Sequence, residues 1–325
     1  MIKINIKRGD LNFSVIFAVI VGIFILGLAI YGVSMLFDSQ EYIEDSATAQ
    51  ELTTLLNPMQ AKSSEGIFGK IQFQEERVID NICYDNGFGR NDIYSYRKGE
   101  QRTGVGTDVY IKYIFSNLNP GKEFFVFSKQ FEFPYKIGDL TFISSEKYCF
   151  INPPIEIKEE IVGLNSLYLK LDENCSDSDE FVNICFGPGA ECDDKEDFVV
   201  SDLCGDDCEY DYELGMVEKK IETSGGIETQ EFYYVGSLLY GAIVSDSEIY
   251  ECNVKRLLYR GMKIAELYQG KADFLEARGC YTNLGIGLVK FEVFLKNAGM
   301  KDLARLYGLT RDMDNQNKRE LCGVW

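Results

Sequence analysis

The 325-residue chain contains no histidine and a single tryptophan. Without histidine there is no Ser-His-Asp or Cys-His arrangement, and the commonest general base of enzymes is missing. Mixed Cys/His zinc sites are excluded as well. Carboxylates, lysines and tyrosines remain, so catalysis is narrowed rather than abolished. Proline is scarce, at 6 residues, and no long Pro/Gly/Ser stretch or internal repeat divides the chain. Positive charge is in deficit, with Lys+Arg 33 against Asp+Glu 52, a net of −19. Such a surface repels nucleic acid, which needs basic patches.

Charge of either sign is absent from residues 12–37, "NFSVIFAVIVGIFILGLAIYGVSMLF". A helix needs about 20 apolar residues to cross a bilayer, and the run 13–37 predicts an uncleaved transmembrane helix. A secretory signal has a shorter apolar core and a small-x-small cleavage site, which "SMLFDSQE" lacks. Lys3, Lys7 and Arg8 precede the run; Asp38, Glu41, Glu44 and Asp45 follow it. Basic flanks stay cytoplasmic, which places residues 1–12 inside and everything after 38 outside, in a single-pass cell-membrane protein. Ala18, Gly22, Ala29 and Gly32 fall on one stripe at 100° per residue. Small residues let a second helix approach, so self-association in the bilayer competes with the plain reading that Gly and Ala are common in membrane helices.

All ten cysteines lie beyond the run: Cys83, Cys149, Cys175, Cys185, Cys192, Cys204, Cys208, Cys252, Cys280 and Cys322. An even count on the outer side predicts disulfides in an oxidising compartment. Spacing suggests that Cys185, Cys192, Cys204 and Cys208 staple one region, and that Cys252, Cys280 and Cys322 tie helical segments together. Zinc is disfavoured because Cys204-x3-Cys208 has no matching second pair, and no metal ligand set is assigned. The acidic segment 172–213 fails the EF-hand pattern, with Asp177 where glycine is needed and Asn183 where glutamate is needed. An irregular calcium site there is the one cofactor left open; otherwise none is expected.

The fold class expected is α+β. The membrane helix continues as a helical stalk over 38–60, ended by Pro58. A β-rich, disulfide-bonded domain follows over 67–244, and a helical bundle over 245–325 packs on it. Aromatic and β-branched density predicts strands from 67 to 153. "PPIEIKEEIVGL" reads as a helix, and "TQEFYYVGSLLYGAIV" as a strand or the start of a buried helix. Leu257, Ile264, Leu267 and Phe274 mark the apolar side of a long helix with Ser247 near its cap. "GVGTD" (104–108) and "SSEK" (144–147) resemble catalytic motifs but read as turns.

Two resemblances add to this. "KRGD" before a long apolar helix resembles type IV pilin precursors, which are cut after such a glycine; Gly9 and Asp10 are then the candidate processing site. Serine at position 14 departs from the glutamate that pilins carry there. "FVFSKQFEFPYKIGDL", "KYCFINPP", "NICFG", "GSLLYGAIVSDSEIYECNVKRLLYR" and "CGVW" resemble an uncharacterised family of single-pass membrane proteins from small-genome archaea. That resemblance implies an exterior α+β ectodomain and transfers no catalytic residue. The function expected is a membrane-anchored, non-catalytic structural or interaction protein that contacts the bilayer and itself or another surface protein. A binding module for a cation or small ligand, or a carboxylate-based hydrolase, is the alternative.

Overall fold

Eighteen consecutive residues, Ile67–Tyr84, form the first strand, β1. The computed structural model describes residues 17, 19–32, 45–50, 67–102, 104–164, 166, 168–171, 180–187, 197–204, 212–223 and 226–325. β1 serves two partners. Its first part pairs with Gly121–Glu132 (β5), and its second, from Arg77, with Arg90–Arg97 (β2). The register slips between Gln72 and Arg77, where the charged run Glu75-Glu76-Arg77 interrupts the apolar alternation, as bulges do. Thr107–Tyr110 (β3), Tyr113–Ser116 (β4) and Lys136–Ser144 (β6) complete a six-stranded sheet of order β3-β2-β1-β5-β6-β4.

The second sheet, β12-β11-β10-β9-β7-β8, is mixed. It comprises Lys147–Ile151 (β7), Leu169–Leu171 (β8), Phe181–Phe186 (β9), Phe198–Asp202 (β10), Leu214–Thr223 (β11) and Gly226–Val235 (β12). Parallel β7 and β8 are joined through the helix Ile155–Leu164 (α2), because parallel neighbours need a crossover. "SSEK" is not a hairpin turn: it carries the chain from β6 in one sheet to β7 in the other. Ser144 Oγ, within 3.1 Å of the Tyr148 hydroxyl and accepting from the Glu146 amide at 3.0 Å, fixes that corner.

β5 is apolar on both faces. Phe125, Phe127 and Phe131 enter the main core, while Phe124 and Val126 join Ile79, Ile93, Val109, Ile114 and Ile143 on the opposite side. The main core also takes residues from the second sheet and from Leu238–Val244 (α3), Ser247–Ala277 (α4), Leu284–Leu295 (α5) and Leu303–Arg319 (α6). Asp246, not Ser247, is the N-cap of α4. Leu257 of α4 is fully buried, but Leu267 and Phe274, expected on its apolar side, are exposed, because the 31-residue helix runs past the sheets that bury its first half. The α4–α6 region is closed by Cys280–Cys322 and by Trp325, whose ring meets Tyr135 and Tyr268. Cys252 does not tie helix to helix; it bridges α4 to Cys83 at the end of β1.

The membrane-anchored part of the expected fold is corrected. Among the described residues no helix is long and apolar enough to cross a membrane. The described helical residues 17 and 19–32 are labelled α1. The stalk is corrected where it is described. Residues 45–50 lie against the first sheet, with Asp45 and Ala49 buried. Asp45 pairs with Arg77 at 2.9 Å, and Ser46 Oγ accepts from the Val105 amide at 2.8 Å. Asp45, a flanking charge of the apolar run in sequence, is held by a buried cation on β1.

Candidate functional site

The α4 face turned toward the first sheet carries Arg256, fully buried. On the helix it follows Cys252 and Asn253 by one turn, so the three share a face. Arg256 Nε donates to Phe88 O at 3.0 Å and Nη2 to Lys112 O at 2.9 Å. Nη1 donates to Asn253 Oδ1 at 2.9 Å, to Asn91 Oδ1, and to Cys83 Sγ at 3.8 Å. Asn91 Nδ2 donates onward to Asn81 Oδ1 at 2.7 Å, and Asn81 and Asn253 both donate to Ile114 O at 2.8 Å. Every partner is neutral, so burial pulls the guanidinium down to about 10; it stays charged at neutral pH. Gly89 makes the approach possible. At φ +58 its Cβ would fall 2.7 Å from Arg256 Nε and 1.9 Å from Tyr84 O, so no side chain fits.

Lys219 on β11 is another buried cation. Its Nζ donates to Ile243 O at 2.8 Å and Ser245 O at 2.7 Å, satisfying carbonyls at the C-terminus of α3. The ring centroids of Phe232 and Phe198 lie 4.5 and 4.9 Å away. Burial brings this amine down to about 7, opposed by the charges of Asp246 and Glu146. Between about pH 7 and the ordinary 10.5 the unfolded chain holds a proton that the folded one lacks, so stability rises with pH across that window. The penalty is full below pH 7. Relative to Lys219→Met, which keeps the stem but cannot titrate, the native chain should gain about 2 kcal/mol from pH 7 to pH 9. Urea unfolding of both proteins at the two pH values checks this, and parallel pH dependences would refute it.

Two places gather carboxylates. In a cavity of about 470 Å³, Glu132, Glu156, Glu160 and Glu213 surround Lys129 and Tyr240. Glu160 Oε2 takes Lys129 Nζ at 2.6 Å and the Tyr240 hydroxyl at 2.5 Å. These contacts clasp α2 and α3 to β5 and occupy that oxygen. Burial and Glu160 together hold the Tyr240 hydroxyl well above its ordinary range, so it remains a donor. At the sheet edge, Asp108, the last residue of "GVGTD", lies in β3 directly opposite Asp92 on β2. Burial and then Asp108 raise the Asp92 carboxyl, and Arg90 bridges the two at 2.9 and 3.6 Å. An arginine clamped between them makes a salt cluster rather than an acid–base pair with a free proton.

Of the residues singled out in the sequence, Gly22, Ala29 and Gly32 lie on α1, where every described residue from 17 to 32 is exposed. Ala18, Gly9 and Asp10 lie outside the described residues. So do Cys175, Cys192 and Cys208, and most of the acidic segment 172–213. Cys83–Cys252 and Cys280–Cys322 are disulfides; Cys149, Cys185 and Cys204 are bridged too, and no described cysteine is free. Among the described residues no group of three or more Cys, Asp or Glu is arranged to hold a metal ion. No motif singles out Arg256 or Lys219, although each carries a signal in its position. Lys219 alternates with Val217 on the inward register of β11, and Arg256 sits one turn from Cys252 and beside Leu257. Compared with known proteins, the chain matches no family model, no curated protein and no solved structure.

Proposed function

We propose that the protein is an exterior structural or interaction subunit, working in an oxidising compartment, that assembles with further copies of itself through the apolar part of α1. The observation that carries this is the helix itself. Phe17, Ile20, Ile23, Phe24 and Leu26 are all at least 60 % exposed, while residues 45–50 are held on the head by the Asp45–Arg77 pair. An apolar helix uncovered by its own fold calls for a partner surface. A Cβ added at Gly22, Gly27 or Gly32 would meet nothing, so a neighbouring helix has room to approach there. The uncharged run 12–37 and the resemblance to pilin precursors favour a second copy as the occupant. Disulfides suit a head that works outside the reducing cytosol. No catalytic activity is proposed for it.

Sedimentation of the full chain should show concentration-dependent oligomers, and Gly22→Leu should raise the dissociation constant about tenfold by blocking close approach. A monomer at every concentration would overturn the proposal. So would monomeric partition into lipid vesicles, which would assign lipid as the cover.

A further inference from the structure

One cavity runs against the charge of the whole. It measures about 430 Å³ and is lined by Lys112, Lys136 and Arg260, with Asp139 the one carboxylate among its lining residues. That volume lies within the range of small-ligand sites. Asp139 is already engaged by Lys136 at 2.9 Å, so positive charge stays in excess. Arg256 adds a fourth cation beside the wall. It holds the Lys112 carbonyl at 2.9 Å, lies 5.1 Å from the Tyr113 ring centroid, and has only neutral partners. Its field is therefore not cancelled locally, and low-dielectric surroundings extend its reach. Burial lowers the Lys112 amine, the response of an ammonium withdrawn from solvent.

The backbone of the rim is a separate observation. Ile111 has φ +60, a conformation that β-branched residues rarely adopt. Ile111 and its neighbour Tyr110 are both exposed at the cavity mouth. Strained residues persist where surrounding structure over-determines them, often at ligand clamps. Here the Arg256–Lys112 bond fixes the residue next to Ile111, which presents Tyr110 and the Lys112 side chain to the same cavity.

We propose that this cavity binds the oxyanion group of a small phosphorylated or sulphated ligand, with Lys112, Lys136 and Arg260 as its charged contacts and Tyr110 as its flat wall. The site is independent of assembly through α1, so either reading can fail alone.

Titration calorimetry of the full chain at low ionic strength, with inorganic phosphate, pyrophosphate and sulfate as probes, tests it. Saturable one-site binding is expected, weakening as salt is added. Tighter pyrophosphate assigns a phosphorylated ligand, and tighter sulfate a sulphated one. Lys136→Gln and Arg260→Gln should each weaken binding at least tenfold. Lys136 is about half-exposed, so its variant should keep the native melting temperature. Lys263→Gln, which removes the same charge from a residue of the same helix that is paired with Glu266 and does not line the cavity, should cost much less than either. Absence of saturable binding, or an equal loss in Lys263→Gln, overturns the proposal.

Discussion

The Cys83→Ser/Cys252→Ser double variant is expected to lose about 2–5 kcal/mol of unfolding free energy. The bridge joins residues 169 apart in sequence, and closing so long a loop removes much of the freedom of the unfolded chain. Cys149, Cys185 and Cys204 are bridged within that stretch, which shortens the effective loop and places the loss inside the range rather than above it. The bridge also fixes where α4 meets the first sheet, since Cys83 ends β1 and Cys252 stands in the second turn of α4. Denaturant unfolding of the oxidised native chain and of the double variant measures the difference. A loss under about 1 kcal/mol would show that packing alone sets this junction.

The second large effect is at Arg256. In Arg256→Met the stem keeps its packing, but Phe88 O, Lys112 O, Asn91 Oδ1 and Asn253 Oδ1 lose their donor. Each buried acceptor left unmet costs about 1–3 kcal/mol, reduced where an amide can turn to another partner. A net loss of at least about 3 kcal/mol is expected. Arg256→Lys should recover little, because a single nitrogen cannot span partners placed around a planar fork. Because Arg256 Nη1 also reaches Cys83 Sγ at 3.8 Å, losses at Arg256 and at the bridge should be non-additive. A fully native melting temperature in Arg256→Lys would remove the argument from fork geometry.

Local patterns were legible where neighbours alone determine the outcome. The aromatic and β-branched runs between 67 and 153 are strands, and "PPIEIKEEIVGL" is a helix with Ile157 and Ile161 inward. "TQEFYYVGSLLYGAIV" supported strand and helix equally, and it contains both. β12 ends at Val235, Gly236 turns at φ +51, and α3 begins at Leu238. Leu267 falls on the apolar side of α4 by periodicity yet is exposed, because helical periodicity gives a face but not the length over which something covers it. The expected stalk gives way to a packed segment for a related reason: nothing near Asp45 in sequence announces Arg77 as its partner.

Composition and local order by themselves determined the missing histidine chemistry, the acidic surface, the uncharged N-terminal run, the cysteines available for oxidation and the α+β character. Only the tertiary structure decided that Cys83 meets Cys252, that Arg256 reaches Phe88 across 168 residues, that Lys219 caps α3, and that Lys112, Lys136 and Arg260 share one cavity in an acidic protein. The physical reason is range. Periodicity and turn chemistry act over a few residues, whereas pairing, burial and the field within a cavity depend on which distant segments the folded core brings together.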